Sequence, residues 1–147
     1  MSKLFYADDD VDDIETFVEA VQQIEQLNGT KIELNVYSSG KDLIKDLKDL
    51  KPKEGIVFLD INMPIKNGFE VLDEIREDAN LCTLPVIMYS TSSDKRAIQT
   101  SLDLGANLYA IKPSSIKDLR DIIKNVIEIN WNEFMTERLN FVINKNL

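Results

Sequence analysis

The sequence predicts an α/β domain in which a five-stranded parallel sheet carries helices on both faces, a doubly wound arrangement. Two observations indicate it: short apolar runs rich in β-branched and aromatic residues recur five times, and a segment with helical spacing follows each run. Regular β-α alternation with right-handed crossovers leads to a parallel sheet. Ligands of such sheets bind beyond the carboxyl ends of the strands, so reactive residues are expected there.

The five predicted strands are short enough to be buried, and they cover residues 4–7 (LFYA), 32–36 (IELNV), 56–59 (IVFL), 86–89 (VIMY) and 108–111 (LYAI). The five predicted helices rest on apolar or small residues spaced three and four apart. Their marker residues are Ile14, Phe17, Val18, Val21 and Ile24; Leu43, Ile44 and Leu47; Phe69, Leu72 and Ile75; Ala97, Ile98, Ser101 and Leu102; and Ile116, Leu119, Ile123 and Val126.

Length and composition fit one globular domain. The chain has 147 residues, of which 44% are hydrophobic and 29% charged, and no apolar run approaches the length of about 18 residues that a membrane span needs. The first ten residues, MSKLFYADDD, are too acidic and too poor in apolar residues for a secretion signal. We therefore expect a soluble, cytoplasmic protein with no membrane partner.

Several functional classes are excluded by residue content. Cys82 is the only cysteine, so an internal disulfide cannot form, and the absence of histidine removes zinc clusters and histidine-based catalytic triads. The formal net charge of −9 argues against DNA as a partner, because nucleic-acid binding depends on clustered lysine and arginine.

Polar residues that could carry chemistry follow four of the five predicted strands. Two or three carboxylates held together repel each other by about 4 kcal/mol at about 4 Å and an effective dielectric constant of about 20, and Mg²⁺ is the natural ion to offset that repulsion. An aspartate can act as a nucleophile toward phosphorus, while a hydroxyl and an ammonium group contact the phosphoryl oxygens. The strand-end residues are Asp8, Asp9 and Asp10, then Asp60, then Ser90 and Thr91, then Lys112 and Pro113.

Five segments in this order resemble the receiver domain of two-component response regulators, especially the single-domain, chemotaxis-regulator-like kind. The resemblance spans residues 3 to about 128. It implies a flavodoxin-like fold with strand order 2-1-3-4-5, and a phosphoacceptor signalling domain that assists its own phosphorylation and dephosphorylation instead of an enzyme. The segments are YADDD, VFLDINMPIKNGFEVL, PVIMYSTS, LGA and YAIKP.

The resemblance assigns the acidic residues. Asp60 corresponds to the phosphoacceptor, Asp9 to a direct Mg²⁺ ligand, and Asp8 to its partner, which contacts the metal through water. Asp60 itself and the backbone carbonyl of Asn62 complete the implied metal site. The acidic residues of the following helix are assigned instead to stabilisation of its N-terminus. These are Asp10, Asp12, Asp13 and Glu15.

The resemblance also assigns the residues of strands four and five. Ser90 corresponds to the switch hydroxyl, since it is the fifth residue after Pro85, and strand alternation directs Thr91 to the other side. Tyr109 corresponds to the aromatic switch residue, and Lys112 to the lysine that contacts the phosphate. A cis peptide bond between Lys112 and Pro113 is implied as well.

A calcium-binding loop is the alternative interpretation of the acidic stretch. Asp8, Asp10 and Asp12 stand at positions one, three and five of such a loop, and Glu19 at position twelve. Position six requires glycine for a sharp turn but holds Asp13, and the residues before the stretch resemble a strand and not an entering helix. This alternative is disfavoured.

The tail beyond the fifth helix has its own apolar pattern. We predict a receiver domain over residues 1–128 and a C-terminal helical extension over residues 129–147, either packed on its own domain or forming a surface for a partner or a second copy through Trp131, Phe134 and Met135. The residues that fall at helical spacings are Ile127, Trp131, Phe134, Met135, Arg138 and Val142.

The expected function is that of a stand-alone receiver. A sensor histidine kinase or phosphotransfer protein donates the phosphoryl group, and the new charge switches a surface that binds a downstream protein, with helix four and strand five as a further candidate for homodimer contact. Two alternatives stay open: a pseudo-receiver that binds partners without phosphorylation, and an aspartate-nucleophile phosphatase. The phosphatase motif requires a second aspartate where this chain has Asn62.

Overall fold

The computed structural model of the chain describes residues 2–143. Its six strands form one sheet of order β2-β1-β3-β4-β5-β6, and every neighbouring pair is parallel. The predicted five strands and the order 2-1-3-4-5 are confirmed, and a sixth strand is added at the β5 edge. The strands are β1 (Ser2–Ala7), β2 (Ile32–Tyr37), β3 (Ile56–Leu59), β4 (Val86–Ser90), β5 (Leu108–Ile111) and β6 (Val142–Ile143).

Five α-helices alternate with the first five strands: α1 (Val11–Asn28), α2 (Gly40–Leu50), α3 (Gly68–Glu77), α4 (Lys95–Asp103) and α5 (Ile116–Glu128). Each helix begins after a residue whose side chain accepts a hydrogen bond from a backbone N–H of the first turn, which satisfies a donor that the helix itself leaves unpaired. These capping residues are Asp10, Ser39, Asn67, Asp94 and Ser115.

The sheet lies between two apolar layers, because alternate residues of each strand point to opposite faces. Leu4 and Tyr6 of β1 pack with α1 and α5, whereas Phe5 and Ala7 pack on the other face with α2 and α3. β3 and β4 are buried along their whole length, as expected of central strands covered on both faces. Within residues 2–143 there is no helix with the length and apolar character needed to cross a bilayer.

The C-terminal segment differs from the predicted helical extension. α5 ends at Glu128, and the only helical turn after it in the described region is a 3-10 turn at Arg138–Asn140. The chain then forms β6, whose approach lets the backbone N–H of Tyr109 donate to the Phe141 carbonyl at 2.9 Å. Backbone pairing at an otherwise open sheet edge, together with burial of Phe141, favours a strand over a continued helix. Residues 144–147 of the predicted extension lie outside the described residues.

The apolar residues of the tail pack on both faces of the sheet and not along one helical face. Trp131 and Phe134 lie half-buried against the apolar layer of α1 and α5, and the Trp131 indole N–H donates to the Val126 carbonyl at 3.2 Å. Phe141 is buried in the opposite layer, beside Tyr109. Val142, the last residue of the predicted helical pattern, packs in the same layer as Phe141, so that pattern joins residues from two different faces of the sheet.

Candidate functional site

The carboxyl ends of β1, β3 and β5 bring Asp8, Asp60 and Lys112 together. Parallel strands end at the same edge of the sheet, and the backbone N–H of Asp60 donates to the Ala7 carbonyl at 3.0 Å, which aligns the ends of β1 and β3. The Lys112 Nζ atom lies 2.8 Å from Asp8 Oδ2 and 3.4 Å from Asp60 Oδ1. Residues separated by up to 104 positions thus form one ionic cluster.

Three carboxylates form an acidic group at this edge. Asp8, Asp9 and Asp60 each offer one oxygen, and these oxygens lie within 4.8 Å of one another. Asp8 is fully buried and Asp60 almost so, while Asp9 is exposed. Oxygen ligands in this number and spacing suit a hard divalent cation such as Mg²⁺, with the exposed Asp9 side leaving room for water ligands.

The Asp8 carboxylate is held from three directions. The Tyr6 hydroxyl donates to Asp8 Oδ2 at 2.7 Å, the backbone N–H of Asp10 donates to Oδ1 at 3.0 Å, and Lys112 reaches Oδ2 from the other side. The Tyr6 ring stacks on Phe17 with centroids 4.0 Å apart, so the hydroxyl is rigidly placed. Burial, and then its hydrogen bond to Asp8, raise the pKa of Tyr6, which therefore stays a donor.

The Asp60 carboxyl group is electrostatically strained. Burial and then the charge of Asp8 raise its pKa from 3.8 to about 6, although Lys112 acts in the opposite direction. A second positive charge at the acidic group would lower that pKa and offset the repulsion. The residues present therefore fit the metal that the resemblance implies.

Lys112 is surrounded by carboxylates on three sides. Besides Asp8 and Asp60, its Nζ atom lies 2.8 Å from Asp13 Oδ2. Burial by itself lowers the pKa of this ammonium group, but hydrogen bonds to Asp13 and Asp8 and the charge of Asp60 outweigh burial, and the pKa is raised. Lys112 is thus a permanent cation at neutral pH.

The Lys112–Pro113 peptide bond is trans, so the expected cis bond is wrong. The trans isomer of an X-Pro bond is favoured by about 0.5–1 kcal/mol unless the surrounding structure selects the other isomer. With the trans bond, the Lys112 side chain already reaches both Asp8 and Asp60.

The two adjacent hydroxyl residues at the end of β4 occupy different environments. Ser90 is completely buried, and its Oγ atom accepts a hydrogen bond from the backbone N–H of Ser92 at 3.1 Å. Thr91 is exposed. The backbone N–H of Lys112 donates to the Ser90 carbonyl at 2.8 Å, which joins the ends of β4 and β5. Ser90 is therefore the inward-facing hydroxyl of the pair.

Tyr109 is fully buried between the sheet and the loop that follows β4. Its hydroxyl donates to the Ser92 carbonyl at 2.8 Å, and burial raises its pKa. The Phe141 ring lies next to it, with centroids 6.4 Å apart. One side chain of β5 thus contacts both the loop after the Ser90 hydroxyl and the C-terminal tail.

The loop between β3 and α3 folds back closely on Asp60. A Cβ atom at Gly68 would lie 2.3 Å from the Asp60 carbonyl oxygen, so only glycine fits where the Gly68 N–H donates to the Ile61 carbonyl. Asn62 is exposed in this loop, two residues after Asp60. Ile65 takes a left-handed φ of 69° and is 99% exposed.

Two contacts of the site were not predicted from the sequence. Tyr6 stands two residues before Asp8, on the same face of β1, so strand alternation was a signal that could have indicated its contact. Asp13 was assigned to stabilisation of the helix N-terminus. Its contact with Lys112 depends on how α1 docks over the sheet, for which the local sequence holds no signal.

Comparison with known proteins identifies relatives of this chain. Residues 11–124 match the family described as the response regulator receiver domain. Response regulator Rcp1 of Synechocystis is 35% identical over 85 residues, which cover 58% of this chain and 57% of that protein. Chemotaxis protein CheY1 of Helicobacter pylori is 31% identical over 75 residues, covering 51% and 60%. The chain therefore spans less than two thirds of the length of these curated relatives.

Solved structures show the same fold. The phosphorylated cyanobacterial phytochrome response regulator RcpA superposes with a TM-score of 0.75 at 29% identity, over 92% of this chain and 96% of that one. The Mn²⁺-bound form of response regulator Rcp1 superposes with a TM-score of 0.72 at 26% identity, over 92% and 98%. Because the family match over residues 11–124 covers most of its length, this chain belongs to the response regulator receiver domain family.

Proposed function

We propose that the chain is a single-domain response regulator that accepts a phosphoryl group on Asp60 in a Mg²⁺-dependent reaction. The observation that carries the proposal is the convergence of Asp8, Asp9 and Lys112 on Asp60 at one end of the sheet. The phosphoryl donor is a sensor histidine kinase or a phosphotransfer protein, and the output is contact with a downstream protein. DNA and membranes are not partners in this proposal.

The residues divide the work of phosphoryl transfer. An Asp60 carboxylate oxygen attacks phosphorus, the new O–P bond forms, and the bond between phosphorus and the donor group breaks, with the electron pair leaving on the donor. With a pKa of about 6, Asp60 is mostly ionised and ready to attack at neutral pH. Lys112 pairs with one phosphoryl oxygen, and the Ser90 hydroxyl donates to another.

Four groups would hold the metal: the carboxylates of Asp9 and Asp60, the backbone carbonyl of Asn62, and the Asp8 carboxylate through water. When bound, Mg²⁺ would supply positive charge beside the transferring oxygens and the acidic group. Asp8 contributes as an oriented carboxylate, because the Tyr6 hydroxyl and the Asp10 N–H already hold its position. Asp9 is the more accessible ligand.

The switch passes through the loop after β4. Ser90 accepts from the backbone of Ser92, and the hydroxyl of Tyr109 donates to the carbonyl of the same Ser92. A new hydrogen bond from Ser90 to a phosphoryl oxygen would shift this loop, which leads into α4, and Tyr109 would follow. Phosphorylation thereby biases the α4 and β5 surface that a downstream partner or a second copy would bind.

The tail limits which parts of that surface are open. β6 pairs with β5, with Tyr109 opposite Val142, so the β5 backbone edge is already occupied. A homodimer that used this edge would have to displace the tail. Contacts through the α4 side chains, or through exposed tail residues such as Met135, would not.

Acetyl phosphate with Mg²⁺ tests the proposal. Intact-mass spectrometry should find one added phosphoryl group on the wild-type chain, and none on Asp60→Asn or after chelation of the metal. Asp73→Asn is the matched control, because Asp73 is an exposed aspartate of α3 and should label like wild type. Labelling that persists in Asp60→Asn, or that is independent of metal, would contradict the assignment.

A further inference from the structure

Lys112 has one more carboxylate partner than the phosphoacceptor site requires. Its Nζ atom contacts Asp8 Oδ2 and Asp13 Oδ2 at 2.8 Å each, whereas Asp60 Oδ1 is more distant at 3.4 Å. An ammonium group has three N–H donors, so two of them are engaged away from the acceptor. The shortest contacts of Lys112 thus compete with its contact to Asp60.

Asp13 is placed by the start of α1 and not by the acidic group. It is the third residue of the helix, and its backbone N–H donates to the Asp10 side chain at 3.1 Å, which anchors its position. Asp13 is not among the three carboxylates whose oxygens cluster within 4.8 Å. Within residues 2–143, Lys112 is the only side chain that forms a hydrogen bond or ion pair with the Asp13 carboxylate.

We infer that Asp13 is a positioning residue that holds Lys112 in a resting arrangement and competes with the phosphoryl group for its ammonium. The inference rests on the proposed function of Asp60 as phosphoacceptor. When a phosphoryl group is added to Asp60, Lys112 exchanges Asp13 for a phosphoryl oxygen. Asp13 thereby sets how strongly the site retains that group.

Asp13, and not Asp8, is the partner that gives way. Asp8 is fully buried, and without Lys112 it would still be held by the Tyr6 hydroxyl and the Asp10 backbone. The Asp13 side chain is 36% exposed, so water replaces the ammonium group at little cost. A buried charge without a partner would cost free energy, and exchange at Asp13 leaves none.

The test compares two charge-removing substitutions in the same helical turn. Asp13→Asn removes the competing carboxylate, and Asp12→Asn removes an equal charge one residue earlier, where the exposed side chain does not reach Lys112. Both variants lose the same favourable charge near the helix N-terminus. Any general effect of net charge or helix stability is therefore shared by the pair.

Affinity for beryllofluoride in Mg²⁺, a mimic of the phosphoryl group, is measured on the full chain by fluorine NMR. Asp13→Asn should bind roughly two- to fivefold more tightly than Asp12→Asn, the range expected for a partly exposed ion pair. Asp13→Glu should restore an affinity close to wild type, which a merely structural role would not produce. Asp13→Ser provides a second variant without the charge.

The outcomes separate the inference from the proposed function. If Asp13→Asn and Asp13→Ser bind no more tightly than Asp12→Asn, or bind more weakly, the competition is refuted while Asp60 remains the phosphoacceptor. If the wild-type chain takes up no beryllofluoride in Mg²⁺, the proposed function fails, and this inference fails with it.

Discussion

Asp60→Asn should stabilise the metal-free protein at neutral and higher pH. Asp60 is buried beside Asp8, and its pKa is raised from 3.8 to about 6 in the folded chain. A raised carboxyl pKa means that the folded state binds the proton more tightly than the unfolded state. Stability is therefore greatest when Asp60 is protonated, decreases as pH rises from about 4 to about 6, and is then constant with respect to this group.

The size of the effect follows from the two pKa values. The difference between 3.8 and about 6 corresponds to about 3 kcal/mol of cost for an ionised Asp60, at about 1.4 kcal/mol per pKa unit. The asparagine loses the Lys112 contact and needs its own hydrogen-bond partners, which reduces the gain. We expect Asp60→Asn to raise the free energy of unfolding by about 2 kcal/mol at about pH 8 and by little at about pH 4.

Urea denaturation in a chelator, followed by circular dichroism at both pH values, measures this difference. Asp73→Asn, an exposed substitution, should leave the free energy of unfolding unchanged. Added Mg²⁺ should stabilise the wild-type chain more than Asp60→Asn, because a ligand that binds the folded state adds stability that increases with the logarithm of its affinity. An equal gain at both pH values, or no gain at about pH 8, would refute the argument that Asp60 is a strained carboxylate.

Two further substitutions test the tail and the Asp8 support. Phe141→Ala should lower the free energy of unfolding by about 3 kcal/mol, since a fully buried aromatic side chain is lost. It should also speed hydrogen exchange at the Tyr109 amide, which donates to the Phe141 carbonyl. Unchanged exchange would mean that the tail is not docked in solution. Tyr6→Phe removes the hydroxyl that orients Asp8 and should weaken Mg²⁺ binding about tenfold by calorimetry, as supporting residues of metal sites do, whereas Tyr89→Phe in the same aromatic cluster should not.

Local sequence patterns predicted most of the fold, because the burial of a strand and the place where it ends are both visible within a few consecutive residues. Runs such as 56–59 and 86–89 are apolar at every position, which matches strands covered on both faces. The acidic residues and Lys112 follow such runs directly, and parallel strands must end at a common edge. A common edge for Asp8, Asp60 and Lys112 was therefore predictable from the strand pattern, whereas the strand order that makes β1 and β3 neighbours came from the resemblance to receiver domains.

The tail is the part of the chain whose structure the local sequence pattern did not predict. Apolar residues at helical spacing beyond residue 126 suggested one amphipathic helix, yet two of them, Trp131 and Val142, pack on opposite faces of the sheet. Helical spacing is only a necessary feature of a helix. The deciding feature was the edge of β5, whose unpaired backbone groups form hydrogen bonds with the tail when the tail becomes β6.

The sequence by itself determined that polar residues follow the predicted strands and that Ser90 and Thr91 face opposite sides of the chain. The roles of Asp60 as acceptor and of Asp8 and Asp9 as metal ligands came from the resemblance to receiver domains and stay predictions. Only the tertiary structure decided that Asp13 contacts Lys112, 99 residues away, and that the tail adds a sixth strand beside β5. Such contacts depend on how separate elements dock. The way in which helices and the tail dock on the sheet depends on burial and on polar pairing across the whole domain. It cannot be predicted from any short segment of the sequence.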